Sequence, residues 1–262
     1  MTVKLAYALR QRPNLTTEEF QKLWRDNHGP LVASFQTVLN LVKYVQAHRL
    51  HCEIDDSLRS SREMLCTKEE APFDIFDEYY FEGSMQKFIA NLHSEEGKRA
   101  WDTLRKDEEK YIDFRGSQMF FVQELPQILP GPHDNLIASE FNHTFRAVAL
   151  AEMSEGGFDY WLNSHASLTR RWATVMGYEK YVQNHPYQAS VLADLRKERG
   201  MPAVARYSWY TNIWVNSRVA YDVKYQEGMM IIRKDEDSGF MKPGSMSCFL
   251  AKEQFLVDKY RY

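Results

Sequence analysis

The sequence predicts an α+β fold made of two βαββαβ units, and three observations carry that reading. A 25-residue window recurs without a gap: residues 24–48 and 161–185 share Trp24/Trp161, His28/His165, Leu31/Leu168, Thr37/Thr174, Val38/Val175, Lys43/Lys180, Tyr44/Tyr181, Val45/Val182, Gln46/Gln183 and His48/His185. Later motifs recur as well. Arg105-Lys106-Asp107-Glu108 returns as Arg233-Lys234-Asp235-Glu236, and Gly116-Ser117 as Gly244-Ser245. Within each half the apolar period alternates between two, as in strands, and three to four, as in helices. The chain therefore divides into a first repeat at 1–125, a linker at 126–139 and a second repeat at 140–262.

Each element has a local signal. Residues 3–9 are apolar and aromatic with a short period, and Arg12-Pro13-Asn14 ends them in a turn. Thr16-Thr17-Glu18-Glu19 is a capping box, in which the Thr16 hydroxyl and the Glu19 carboxylate satisfy free N–H groups of a starting helix. Phe20, Leu23, Trp24 and His28 continue that helix at spacings of three and four, which puts Trp24 and His28 on one face. Gly29-Pro30 is expected to interrupt it and leave His28 at an exposed C-terminal turn.

From residue 41 to 52 the period becomes two, with Tyr44, Gln46 and His48 on one face. Residues 54–72 are charged and irregular and read as a surface loop. Residues 73–81 form a third strand with Asp74, Phe76, Glu78 and Tyr80 on one side. Residues 84–110 are helical with a break near Ser94 or Gly97, and 119–125 form the fourth strand. That order, βαββαβ, is ferredoxin-like. Pro126, Pro130, Gly131 and Pro132 mark the linker. The second half supplies strands at 141–152, 178–187 and 207–215, a helix over 158–176 and a short one over 190–200.

Composition narrows the functions. The 262 residues are 44% hydrophobic and 26% charged with a formal net charge of −3, which gives no basic face for nucleic acid. No apolar run reaches the length of a membrane span, and the N-terminus lacks a leader's apolar core. Three cysteines without metal-ligand spacing argue against a disulfide framework or a zinc site and for a reducing, cytoplasmic compartment. No metal site is expected. Neither a phosphate loop nor a G-x-S-x-G elbow occurs.

T-T-E-E-F, L-W-R-D-N-H-G-P-L, K-Y-V-Q-A-H and F-D-I-F-D-E-Y-Y-F in the first half, with F-D-Y-W-L-N-S-H-A-S-L and K-Y-V-Q-N-H in the second, resemble the EthD family of the dimeric α+β barrel superfamily. The resemblance implies that the two ferredoxin-like units face each other within one chain and close an intramolecular α+β barrel. It also implies polyketide cyclase, decarboxylase, isomerase or accessory activity, for the most part without a cofactor. A shared fold licenses no particular reaction.

The candidate site is chosen on chemistry. His28 is the proposed proton shuttle, because imidazole changes charge near neutrality. An acid among Asp74 and Glu78 would orient it, and Asp77 is a further carboxylate of the same strand. Tyr44 and His48 would hold or protonate an enolate oxygen; the same residues equally fit a hydrogen-bond ladder between strands. Trp24, Gln46, His165, Tyr181 and His185 are assigned to substrate binding. The strand acids have no counterparts in the second half, where Ser208, Thr211 and Asn212 replace Asp74, Asp77 and Glu78. The first half is therefore expected to be catalytic and the second degenerate or substrate-shaping. The Arg105–Glu108 run reads as a solvated helix end.

The functional expectation is a cofactor-independent lyase or isomerase of decarboxylase or cyclase type. It would act through an enolate on an aromatic, polyketide-like or ring-cleavage intermediate. The rivals are an accessory protein that binds aromatic ligands without turnover and a haem- or oxygen-using barrel enzyme. The partners expected are a small-molecule substrate and, through the outer helices, a second copy in a homodimer.

Overall fold

A computed structural model describes residues 2–130, 136–219 and 223–259. Gly131, Pro132 and His133 of the expected linker, and residues 260–262 of the expected second repeat, lie outside them. Eight strands close a single antiparallel barrel: β1 (Thr2–Leu9), β2 (Leu41–Arg49), β3 (Ile75–Glu82), β4 (Gln118–Ile128), β5 (Thr144–Ala151), β6 (Tyr178–Tyr187), β7 (Trp209–Asn216) and β8 (Ser247–Asp258). Their spatial order is β1-β3-β2-β8-β5-β7-β6-β4. Each half thus contributes four neighbouring strands in the same internal order, and the halves join along β2–β8 and β4–β6. Closure leaves no unpaired edge.

The helices pack outside. The capping box forms as read: Thr16 N donates to Glu19 and Glu19 N to Thr16 Oγ1, opening α1 (Thr17–Leu23). Gly29-Pro30 does not interrupt the helical path. The chain passes through one wide π-helical turn, Trp24–His28, straight into α2 (Gly29–Ser34), and Pro30, which has no N–H to donate, directly follows that widened turn. His28 is consequently buried in mid-helix, not exposed at an end. Gly29 serves packing: a Cβ there would lie 2.4 Å from Leu256 Cδ1 and 3.1 Å from the Gln46 amide nitrogen, so the helix can rest directly on the sheet.

The stretch read as a loop contains α3 (Glu53–Ser60), held because Asp55 is buried against Arg49 and Arg59 and accepts the Leu250 N–H. Its charge had disguised an amphipathic helix. Ser94 splits the next helical region as expected, ending α4 (Met85–His93) and capping α5 (Glu95–Glu108). Strand β4 runs through Pro126 to Ile128, beyond the expected end at Leu125, and pairs with β6 there. The second half carries α6 (Gly157–Tyr160), a π-helical turn at Trp161–His165, α7 (Ala166–Trp172), α8 (Ser190–Arg199) and α9 (Val223–Glu236).

Two ion pairs clamp the halves reciprocally. Arg199, at the end of α8, meets Glu108 of α5 at 2.7 Å; Arg62, just after α3, meets Glu236 of α9 at 2.9 Å. Side chains alternate between the barrel interior, with Lys4, Glu78 and Arg146, and the outer face under the helices, with Tyr7, Asp77 and Tyr79.

Candidate functional site

The wide turn aims Trp24 and His28 into the gap between helix and sheet. Their rings stack at 3.7 Å, and His28 Nδ1 lies 3.0 Å from Asp107 Oδ2. Burial works against ionising Asp107, but the bonds from His28 and Lys110 hold its carboxyl below the usual range. The acid beside His28 is therefore Asp107 from the run read as solvated, and neither Asp74 nor Glu78.

Those two lie elsewhere. Asp74 accepts the Gln11 N–H. Glu78 points into the barrel, 2.6 Å from Lys4 and 2.8 Å from Arg146. Burial alone would raise its carboxyl, but Arg146 and Lys4 hold it well below the usual range. Asp77 is the acid of the outer face and receives Trp24 Nε1 at 2.8 Å, Tyr44 OH at 2.8 Å and Tyr79 OH at 3.3 Å.

Behind Asp77 runs the ladder. Gln46 Nε2 donates to Tyr44 OH at 2.8 Å and to the Trp24 carbonyl at 3.2 Å, and Gln46 Oε1 faces His48 Nε2 at 3.0 Å. Burial, with Arg25 nearby, lowers His48 to about 3, so its ring is neutral at physiological pH. Burial raises Asp77 to about 7 despite its three donors. The structure thus joins Trp24, Tyr44, Gln46 and His48 into one network around Asp77 Oδ2, with His28 stacked on its edge and Asp74 and Glu78 outside it.

The second half builds the same frame and leaves it open. His165 Nδ1 lies 2.7 Å from Asp235 Oδ2, and Asp235 also accepts from Tyr160. Burial opposes ionisation of Asp235, yet the bonds from His165 and Tyr160 lower it. Among the described residues the other His165 nitrogen has only Thr169 Oγ1, at 3.5 Å. Gln183 Nε2 again bonds the tryptophan carbonyl, at 3.0 Å, and the tyrosine hydroxyl, at 3.1 Å. Here the strand register matters. Tyr7 faces Asp77 and Leu5 faces Tyr79 across β1–β3, whereas Ala149 faces Thr211 and Ala147 faces Ile213 across β5–β7. Bulky or charged side chains in the first half become small in the second.

The vacated space is a cleft of about 110 Å³ between sheet and helices. Ala147, Ala149, Thr211 and Ile213 floor it, His165, Tyr178, Tyr181 and Trp209 wall it, and the Arg62–Glu236 pair borders it. Gln183 donates to the Tyr181 hydroxyl, but with Thr211 in place of an acid none of the described residues accepts its proton. Burial pushes the Tyr178 and Tyr181 phenols up, so both stay protonated. His185 does not reach the cleft: it packs against Trp161 and Phe158 at 5.0 and 5.1 Å, and burial lowers its pKa. Arg62, Tyr178, Asp235 and Glu236 were missed from sequence; the recurrence of R-K-D-E was the available signal for the two acids. Among the described residues no cluster of three or more metal-ligating side chains occurs, and no helix is long and apolar enough to cross a membrane.

This architecture defines an α+β barrel, and solved structures with the same fold confirm the class. A monooxygenase-type protein from Fusobacterium nucleatum subsp. nucleatum, so described provisionally, superposes with a TM-score of 0.53 at 5% identity over 97% of this chain and 93% of its own. An anthrone oxidase-like protein gives 0.52 at 9% identity over 98% and 94%. An EthD family protein from Bacillus halodurans is similar at 17% identity over 45% of this chain and 96% of its own, with a TM-score of 0.29. Residues 12–115 match the model of the EthD domain. No curated protein matches the sequence.

Proposed function

We propose that the protein is a cofactor-independent acid–base enzyme, of lyase or isomerase type, acting on an aromatic or polyketide-like ketone held in the second-half cleft. In this reading the chain is a tandem pair of ferredoxin-like units, spanning 1–125 and 140–262 about a linker. The reciprocal Arg62–Glu236 and Arg199–Glu108 pairs support that symmetry. The observation that carries the functional reading is the His165–Asp235 dyad on the wall of a mainly apolar cleft.

Asp235 accepts from Nδ1, which fixes the ring and stabilises the imidazolium, and leaves the second nitrogen to take a proton from carbon. The Tyr181 hydroxyl, freed by Thr211, donates to the oxygen on which enolate charge develops. Trp209 and the apolar floor hold a flat ring and keep water out. Decarboxylation, cyclisation and double-bond migration share that enolate. His28 and Tyr44 retain the same frame in a closed, structural form.

The test is exchange of the α-hydrogens of 2-tetralone in D2O, followed by proton NMR. A positioned base contributes about 10²–10⁴ in rate, so His165→Ala should lower catalysed exchange by about 100-fold or more, and His28→Ala by less than about threefold. If His165→Ala left exchange unchanged, the assignment would fail. Tight binding with no exchange above buffer would favour the accessory-protein reading, and a Soret band in the purified protein the haem reading.

A further inference from the structure

Cys66 and Cys248 lie with their sulfurs 3.7 Å apart, although 182 residues separate them in the chain. Both are buried, at 8% and 2% exposure. Their proximity is built by the backbone. Met246 N donates to the Leu65 carbonyl at 2.8 Å and Thr67 N to the Met246 carbonyl at 2.9 Å, so the segment after α3 runs alongside the start of β8. The third cysteine, Cys52, is exposed and free. Cys248 also lines the cleft beside Arg62.

We propose that Cys66 and Cys248 form an oxidisable dithiol, with Cys248 in the cleft wall and Cys66 beside it, that reduces an organic hydroperoxide and closes to a disulfide. The proposal stands on the sulfur geometry and the opening to the cleft, and is independent of the acid–base chemistry assigned to His165. A disulfide needs the sulfurs about 2.05 Å apart, so the two must approach by less than about 2 Å. Side-chain rotation and a small shift of the 61–67 turn supply that.

The thiols are unequal. The bond from Cys248 draws the Cys66 thiol down, and Arg62 and Arg59 add to this against burial. The same contact, with burial, pushes Cys248 up. The Cys66 sulfur, 3.7 Å away, takes the proton of Cys248, and Cys248, which lines the cleft, is the first nucleophile. Its thiolate attacks the terminal oxygen of R–O–OH, the O–O bond breaks, and the alkoxide takes a proton to leave as R–OH. The Cys66 sulfur then attacks the Cys248 sulfenic sulfur, the S–O bond breaks, and hydroxide departs with the Cys66 proton as water. Two thiols lose two electrons, and the O–O bond gains them. An added thiol reductant restores the dithiol by exchange.

Cumene hydroperoxide is a suitable probe, since its ring suits an apolar cleft. The full-length protein is treated with one equivalent, denatured in N-ethylmaleimide and weighed. The expected outcome is a loss of about 2 Da, alkylation of Cys52 alone, a linked Cys66–Cys248 peptide and one cumyl alcohol per chain. Dithiothreitol should restore alkylation of all three cysteines. Cys66→Ser and Cys248→Ser should each abolish the loss, and Cys52→Ser should leave it intact. Retention of three alkylated cysteines, or oxidation confined to Cys52, would overturn the proposal. The wild-type peptide map decides the matter even if a buried serine variant fails to fold.

Discussion

Asp77→Asn isolates the property that separates the two halves. Asp77 is fully buried under Trp24, Tyr44 and Tyr79, and burial raises it to about 7. In the unfolded chain an aspartate titrates near 3.9. Between those values the folded protein holds a proton that the unfolded chain has released, so stability falls as pH rises through the window. The gap is about three pH units, and at about 1.36 kcal/mol per unit the swing reaches up to about 4 kcal/mol. Asparagine keeps the shape and one acceptor but does not titrate. Urea unfolding at half-unit steps from pH 4 to pH 8 should show the variant gaining on wild type as pH rises, with the change complete just above pH 7. His48 titrates in both proteins and cancels in the difference. A wild-type-minus-variant difference that is flat across the range, or that grows in favour of wild type, would refute the assignment of Asp77 as a buried, proton-holding acid.

Other consequences are testable in the same way. Ala149→Tyr restores the bulk that Tyr7 supplies in the first half; it should weaken binding of 2-tetralone by about tenfold or more in calorimetry, with little loss of stability because the side chain enters existing space. Glu108→Gln strips Arg199 of its buried partner and should cost about 3–5 kcal/mol, read as a lower denaturant midpoint. His48→Gln should reduce the loss of stability below pH 6.5. The folded ring titrates at about 3, so the unfolded state binds its proton first and wild type weakens as pH falls through that window.

Much of the barrel was legible because one 25-residue window of the sequence recurs. The duplicated window, the capping box and the break at Ser94 each correspond to a local rule with one physical solution. Two readings failed where tertiary contact overrode a local rule. Gly29-Pro30 looks like a stop, but Pro30 directly follows a widened π-helical turn and Gly29 lets the helix touch the sheet, which buries His28. The stretch around Asp55 looks like loop, because the arginines and the Leu250 amide that make a buried acid tolerable come from elsewhere in the fold. The site was legible in its types but not in its pairings. His28 and His165 were visible, yet Asp107 and Asp235 lie 79 and 70 residues away, and only the packing of α5 and α9 brings them near. The strand acids were visible as an asymmetry, but whether an acid equips a cavity or fills it depends on its neighbours. Asp77 with Tyr7 and Tyr79 fills one; Thr211 with Ala149 and Ile213 opens one.

Ligand chemistry in the second-half cleft is the central claim, and methyl NMR of methionine-labelled protein titrated with 2-tetralone tests it directly. Met229, Met241 and Met246 line the cleft, whereas Met85 and Met119 pack with the first-half core. Saturable shifts confined to the first three methyl groups, and lost in Ala149→Tyr, are the predicted result. Shifts at Met85 and Met119 with the cleft methyls unmoved would place the ligand beside His28 and contradict the account.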